Sequence, residues 1–138
     1  LLLASEDAAA NHGLMPRARI VAHTRNSQAP EDFTLAPIGA AEQVLAKAGW
    51  SASDVDLWEI NEAFAMVTML TTRALDLDPA CVNVHGGACA QGHPIGSTGS
   101  RIIVTLMHAL KHYGKQRGVA ALCIGGGEAT AVAIELVS

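Results

Sequence analysis

Aromatic residues are scarce in this chain, with two Trp, two Phe and one Tyr among 138 residues. Half of the residues are nonetheless hydrophobic, so the core must be built mainly from Ala, Val, Leu and Ile. Charge is sparse as well, at 16% of residues, and the formal net charge of −4 offers phosphate backbones and anionic lipids no strong attraction. Nucleic-acid and membrane partners are therefore not expected. No apolar run approaches the roughly 18 residues of a spanning helix. The three cysteines are an odd number that makes no disulfide framework. With no signal-peptide pattern at the start, reduced thiols in a soluble, cytoplasmic protein are expected. The chain opens at Leu1 without Met, and "LLLA" reads as a buried strand already under way. Residues 1–16 are accordingly expected to be the tail of a preceding N-terminal domain, its last strand and helix, with one further domain over 17–138.

What is present is an alternation of strands and helices. Ser5 is placed to cap a short helix that Gly13 stops, and "ARIVAHTR" from Ala18 to Arg25 reads as a strand. A polar loop follows over Asn26 to Asp32, and Pro37 then opens a helix whose apolar residues Ile38, Ala41, Leu45 and Ala48 recur at helical spacing up to Gly49. "DVDLWEI" predicts a strand, and Asn61 to Leu77 a mostly apolar helix covered on more than one side. "CVNVH" reads as a short strand, a glycine-rich loop as non-helical, and Ser97 to Tyr113 as an amphipathic helix closed by Gly114. Two continuous apolar runs, "GVAALCI" and "AVAIELV", flank "GGGEAT" and read as a central hairpin. One mixed-sheet α/β domain accounts for this order.

The chemistry-bearing residues cluster at strand ends and glycine loops. His85, Cys89 and His93 are spaced as three metal ligands would be on a helix, but glycines and Pro94 break every turn between them, and no second ligand cluster accompanies them. A phosphate-binding loop would need a lysine before Ser or Thr, which is missing. The positive end of the following helix still favours negative charge near Gly96 to Gly99. Covalent chemistry is the third reading. His93, held between Gly92 and Pro94, can be aimed into a cleft as a general base, although a histidine there can also serve only loop carbonyls. Cys123 ends an apolar strand beside Gly125, Gly126 and Gly127, whose bare N–H groups are the material of an oxyanion hole; a buried structural thiol is the plainer alternative. Asn61 at a strand-to-helix junction reads first as an N-cap and Glu62 as a partner of the helix dipole. Cys81 and Cys89 read as small fillers, and Trp50, Trp58 and Phe64 as core or cover.

Taken together, "NEAFA" from Asn61 to Ala65, "NVHGGACAQGHPIGSTG" from Asn83 to Gly99 and "CIGGG" from Cys123 to Gly127 resemble the C-terminal half of thiolases, the acetyl-CoA acetyltransferases and 3-ketoacyl-CoA thiolases. The likeness runs from about Leu1 to Val137. It implies a thiolase-like half, with a five-stranded mixed sheet flanked by helices and ending in an antiparallel hairpin, and it makes 17–138 the thiolase C-terminal domain. It also implies reversible Claisen condensation of acyl-CoA, with the reactive cysteine in an N-terminal half that nothing in this chain matches. Carried over by motif, His93 would activate that nucleophile and donate to the thioester oxygen, Asn61 would hold a water completing the same site, and Cys123 would move the α-proton. Gly125 would offer its N–H to the tetrahedral intermediate. Phe64, Ala63 and Phe33 would line the pantetheine channel. The resemblance further implies coenzyme A thioesters as substrates without a permanent cofactor or metal, and a homodimer or homotetramer in the whole protein.

Four positions depart from the family's usual pattern: Cys89 for an aliphatic residue, His85 for a frequent Asn, and Glu128-Ala129 for Met-Gly or Gln-Gly. A non-catalytic acyl-CoA-binding or assembly module of the same fold is the chief rival, opposed by joint retention of the motif residues. A ketoacyl synthase is a second rival, opposed by Cys123 where synthases use His or Asn.

Overall fold

A computed structural model describes residues 1–137. After the short helix α1 (Glu6–Asn11), capped by the Ser5 hydroxyl on the Ala8 N–H at 3.1 Å, comes β1 (Ala18–Ser27). Helix α2 (Ala36–Ala48) follows, with Pro37 in its first turn and Gly49 in the left-handed conformation at its end. Strand β2 (Leu57–Ile60) leads into α3 (Ala65–Ala74), a single turn α4 (Ala88–Gln91) and α5 (Thr98–His112). The hairpin β3 (Arg117–Ile124) and β4 (Glu128–Leu136) closes the chain.

The four strands form one mixed sheet in the order β1-β4-β3-β2, parallel between β2 and β3 and antiparallel elsewhere. Alternation along the strands sorts the side chains onto two faces. On one, Ala22, Val119, Ala121, Ala129, Ala131 and Ala133 meet Ala36, Ala40, Ala41 and Val44 of α2, with Trp58, Ile60 and Val67 completing the cluster. Small residues on both surfaces bring helix and sheet close, which explains how so few aromatics suffice. On the other face Leu57, Ala120 and Ile134 meet Ile102, Leu106, Ala109 and Leu110 of α5.

Four strands stand where five were expected, and the difference lies at "CVNVH". Pro79–Cys81 forms a tight 3-10 turn, Val82 makes a single parallel bridge to Trp58, and Asn83 turns away with φ 48°. The Asn83 side chain then takes over the edge. Its amide donates to the Ile60 carbonyl and accepts from the Ile60 N–H, both at 2.8 Å, so β2 has its ladder groups satisfied without a strand beside it. "LLLA" forms no strand either. Leu1, Leu2 and Leu3 are 57%, 79% and 71% exposed, and the segment pairs with none of the four strands.

Helix α3 is shorter and barer than expected. Asn61 to Phe64 stay outside the helix, Phe64 occupying the N-cap position, and only Val67 and Thr71 are buried. Met66 and Met69 lie 49% and 70% exposed, so one face is covered rather than several.

Candidate active site

The motif residues come from three neighbouring segments at the carboxyl ends of the parallel strands β2 and β3, where open α/β sheets bind ligands. Asn61 continues directly from β2, its N–H donating to the Ala121 carbonyl of β3 at 2.9 Å. Cys123 stands two residues further along β3. Its side chain packs on the α2 face, half-buried against the alanine-rich cluster. Burial pushes the Cys123 thiol up from its ordinary pKa, opposed by a backbone hydrogen bond, so the thiol form is favoured at neutral pH. The hairpin turn follows at once. Gly125 is exposed, with open space around its Cα. Gly127 has φ 91°, and any Cβ there would meet the Gln28 and Ala29 backbone, so glycine alone lets the turn lie on the end of β1. Glu128 folds back over the turn, its carboxylate beside Gly126.

His93 sits in the loop leading to α5. Its Nδ1 is 2.7 Å from the Thr98 hydroxyl, which lies 3.0 Å from the Pro94 carbonyl. A hydroxyl that donates its proton to Pro94 can only accept from Nδ1–H. That tautomer leaves the Nε2 lone pair free as a base. Thr98 is buried, so the imidazole is held by a fixed post at the first residue of α5.

The glycine-rich segment is pinned to the Asn61 loop by Glu62, whose Oε2 accepts from the Cys89 N–H at 2.9 Å. Gly87 lies so close under this carboxylate that a Cβ would collide with it. The segment contains one helical turn, α4, where none was expected, because Gly87 carbonyl bonds to Ala90 and Gln91 close it before Gly92 ends it. Cys89 is exposed rather than a filler, and partial desolvation together with the Glu62 carboxylate beside it pushes its thiol up from its ordinary pKa. His85 packs its ring edge-on to Tyr113 and His112, with centroids 5.6 and 5.9 Å away. Among the described residues no three His, Cys, Asp or Glu side chains gather as a metal would require.

Phe33 and Phe64 meet edge to face, centroids 6.0 Å apart, with Phe64 57% exposed. Ala63, half-buried, precedes Phe64 in the bend that leads into α3. The three residues expected to line a channel are thus grouped into two contacting segments beside Asn61.

Asn61 is not a helix cap. It is 1% exposed, and its Oδ1 accepts from Arg101 Nη2 at 3.3 Å. Arg101, on the first turn of α5, also reaches Gln91 Oε1 at 3.2 Å and lies 4.0 Å from Glu59 Oε2. Sequence reasoning passed over both Glu59 and Arg101. Glu59 is 2% exposed, and burial pushes its carboxyl up to about 7, with Arg101 opposing the shift and Glu62 adding to it. Three buried polar atoms in this cluster lack a partner among the described residues: Glu59 Oε1, Arg101 Nε and Asn61 Nδ2. A glutamate between Trp58 and Ile60 in an otherwise apolar strand was the available signal, since a buried acid implies a cation nearby.

An open apolar groove of about 720 Å³ lies elsewhere, along the later turns of α5, lined among others by Met15, Val104, Met107 and Leu136.

Comparison with known proteins gives consistent matches. The family model for the thiolase C-terminal domain matches residues 14–136. A mouse protein named acetyl-CoA acetyltransferase, cytosolic, is 52% identical over 122 residues, 88% of this chain and 31% of that protein. A probable acetyl-CoA acetyltransferase of Dictyostelium discoideum is 49% identical over 98% of this chain and 33% of its own length. Among solved structures, human mitochondrial 3-ketoacyl-CoA thiolase superposes with a TM-score of 0.93 at 45% identity, covering 97% of this chain and 34% of that one. An Ascaris suum thiolase in complex with coenzyme A gives 0.91 at 44% identity, covering 97% and 35%. The chain spans about a third of the length of the curated relatives it matches.

Proposed function

Because the chain belongs to the thiolase family, as a C-terminal domain, we propose that it supplies the acid/base and oxyanion groups of an acetyl-CoA C-acetyltransferase whose nucleophilic cysteine is carried by an N-terminal thiolase half. The observations that support this reading are that Asn61 follows β2 while Cys123 and Gly125 stand at the end of its parallel neighbour β3, and that His93 bonds to Thr98 at the start of α5, the helix whose Arg101 reaches Asn61. The substrates are coenzyme A thioesters, a choice supported by the names of the relatives and by the coenzyme A complex of one of them.

In the first stage His93 Nε2 takes the proton of the nucleophilic thiol, and the thiolate adds to the thioester carbonyl. The resulting oxyanion accepts from the Gly125 N–H and from the nucleophile's own N–H, and it collapses with release of the coenzyme A thiolate, which solvent protonates while His93 keeps the proton of the nucleophile. In the second stage Cys123, having given its proton to solvent, removes as thiolate the α-proton of an acetyl-CoA. The enolate oxygen accepts from protonated His93 and from a water held on Asn61 Nδ2. The enolate carbon then attacks the acyl-enzyme carbonyl, the bond from that carbonyl to the nucleophile's sulfur breaks, and the thiolate takes its proton back from His93, leaving 3-ketoacyl-CoA. Thiolysis is the reverse, in which the Cys123 thiol returns its proton to the enolate. The burial that favours this thiol supports the acid role directly. An α-proton beside a thioester is weakly acidic, so base and oxyanion donors must act together. Each donor is worth about 3 to 4 kcal/mol of barrier.

Phe33, Ala63 and Phe64 form the wall along which the pantetheine arm runs in this reading. Residues 1–16 belong to the junction with the N-terminal half, and the working protein is a homodimer or homotetramer. A cytoplasmic setting is supported by relatives named as cytosolic in mouse and rat, against a mitochondrial one in Xenopus tropicalis. No helix among the described residues is long and apolar enough to cross a membrane.

The test is acetoacetyl-CoA thiolysis by this chain alone and by the chain joined to an N-terminal thiolase half. Activity is expected only in the joined protein. Turnover by the 138 residues alone would refute the division of labour, and a joined, folded protein without turnover would refute the assignment.

A further inference from the structure

We propose that Arg101 is the positioning residue for Asn61, fixing its carboxamide so that the oxygen is held by the guanidinium and the NH2 group is turned toward the reacting thioester. This rests on the thiolase reading above, and it adds a residue that acts through Asn61 without touching substrate.

The argument starts from donor inventory. A guanidinium has only donors, so the amide end facing it must be the oxygen. Arg101 Nη2 lies 3.3 Å from Asn61 Oδ1, which directs Nδ2 to the opposite side. Nδ2 is buried and without an acceptor among the described residues, and a buried N–H group of that kind awaits an acceptor from outside the chain. In the proposed reaction that acceptor is the water beside the enolate oxygen. If the amide turned about its terminal torsion it would present an oxygen there, and an acceptor would face developing negative charge.

Arg101 is itself held. Its Nη1 donates to Gln91 Oε1 at 3.2 Å, and Gln91 Nε2 donates to the His85 carbonyl at 2.8 Å, so the guanidinium is tied to the glycine-rich segment. The Glu59 carboxyl lies inside the sheet, its Oε2 4.0 Å from Nη1. Arg101 sits on the first turn of α5, three residues after the Thr98 that fixes His93. The two groups that face the enolate oxygen are therefore oriented from the same turn of one helix. Lysine would not replace it, because one ammonium cannot span Asn61 and Gln91 with fixed in-plane donors.

A double-mutant cycle on the joined protein tests this, with thiolysis as readout. Arg101→Gln is expected to lower kcat about 10-fold or more, with the KM for coenzyme A changed less than about 2-fold. In an Asn61→Ala background the same substitution is expected to cost less than about 2-fold, because the group it positions is already gone. An equal loss in both backgrounds would overturn the proposal, since a structural brace acts whatever residue stands at 61. If the single variant misfolds with Glu59 left unpaired, the pair Arg101→Gln with Glu59→Gln removes both charges, and the same cycle applies. An inactive but folded parent would count against the thiolase reading alone. The positioning is then decided by the side-chain amide 15N resonances of Asn61, which Arg101→Gln is expected to shift and broaden; unchanged resonances would overturn it.

Discussion

Replacing Glu59 by Gln should alter how the stability of the protein depends on pH, in a direction set by where the carboxyl sits. Glu59 is 2% exposed between Trp58 and Ile60, and its nearest cation, Arg101 Nη1, is 4.0 Å from Oε2, too far for a hydrogen bond. Desolvation therefore outweighs ion pairing and raises the carboxyl from 4.5 to about 7. Between those values the folded state binds the proton and the unfolded state has released it. Stability from this group is thus complete below pH 4.5 and falls as pH rises through about 7. The gap corresponds to about 3 kcal/mol. Urea unfolding of the wild type and Glu59→Gln from pH 4.5 to 8.5 would measure it. The wild type is expected to lose about 3 kcal/mol relative to the variant across that range, while Glu135 works in the opposite sense identically in both proteins. Parallel stability curves would refute the desolvation argument, and a wild-type gain with rising pH would show that Arg101 holds the carboxylate as a strong pair.

Two further substitutions test the framework around the site. Gly127→Ala forces a Cβ at φ 91° against the Gln28 and Ala29 backbone and strains the Gln28 N–H bond to the Gly127 carbonyl; a loss of about 2 to 4 kcal/mol in chemical unfolding is expected, and a change under about 0.5 would contradict the tight-turn reading. Asn83→Ala removes both side-chain bonds to Ile60 and leaves the β2 edge unsatisfied, so about 2 to 3 kcal/mol should be lost and the Ile60 amide should exchange faster with solvent; unaltered exchange would show that the edge is satisfied otherwise.

The parts of the fold legible in the sequence were those with local rules. Ser5 caps α1, Pro37 and Gly49 bracket α2, the stripe from Ile102 to Leu110 defines α5, and the two apolar runs form the hairpin. What escaped depended on contacts distant in sequence. "CVNVH" has strand composition, but Asn83 bonds to Ile60 with its side chain and ends the strand before it forms. The start of α3 was placed four residues early because nothing local shows that Asn61 is engaged by Arg101, forty residues away. Asn61, His93, Cys123 and Gly125 were singled out as candidates through their motifs. The Glu59 and Arg101 side chains that hold the Asn61 side were not, because a buried pair across two elements has no spacing to read.

Isotope exchange separates the proposed role of Cys123 from that of the nucleophile. In D2O, a joined protein supplied with acetyl-CoA should put deuterium on the acetyl methyl group, and should also exchange labelled coenzyme A into acetyl-CoA. Cys123→Ala is expected to abolish deuterium incorporation while retaining coenzyme A exchange, because only the first needs an α-proton base, whereas His93→Ala should impair both. Deuterium incorporation at the wild-type rate in Cys123→Ala would contradict the account at its centre.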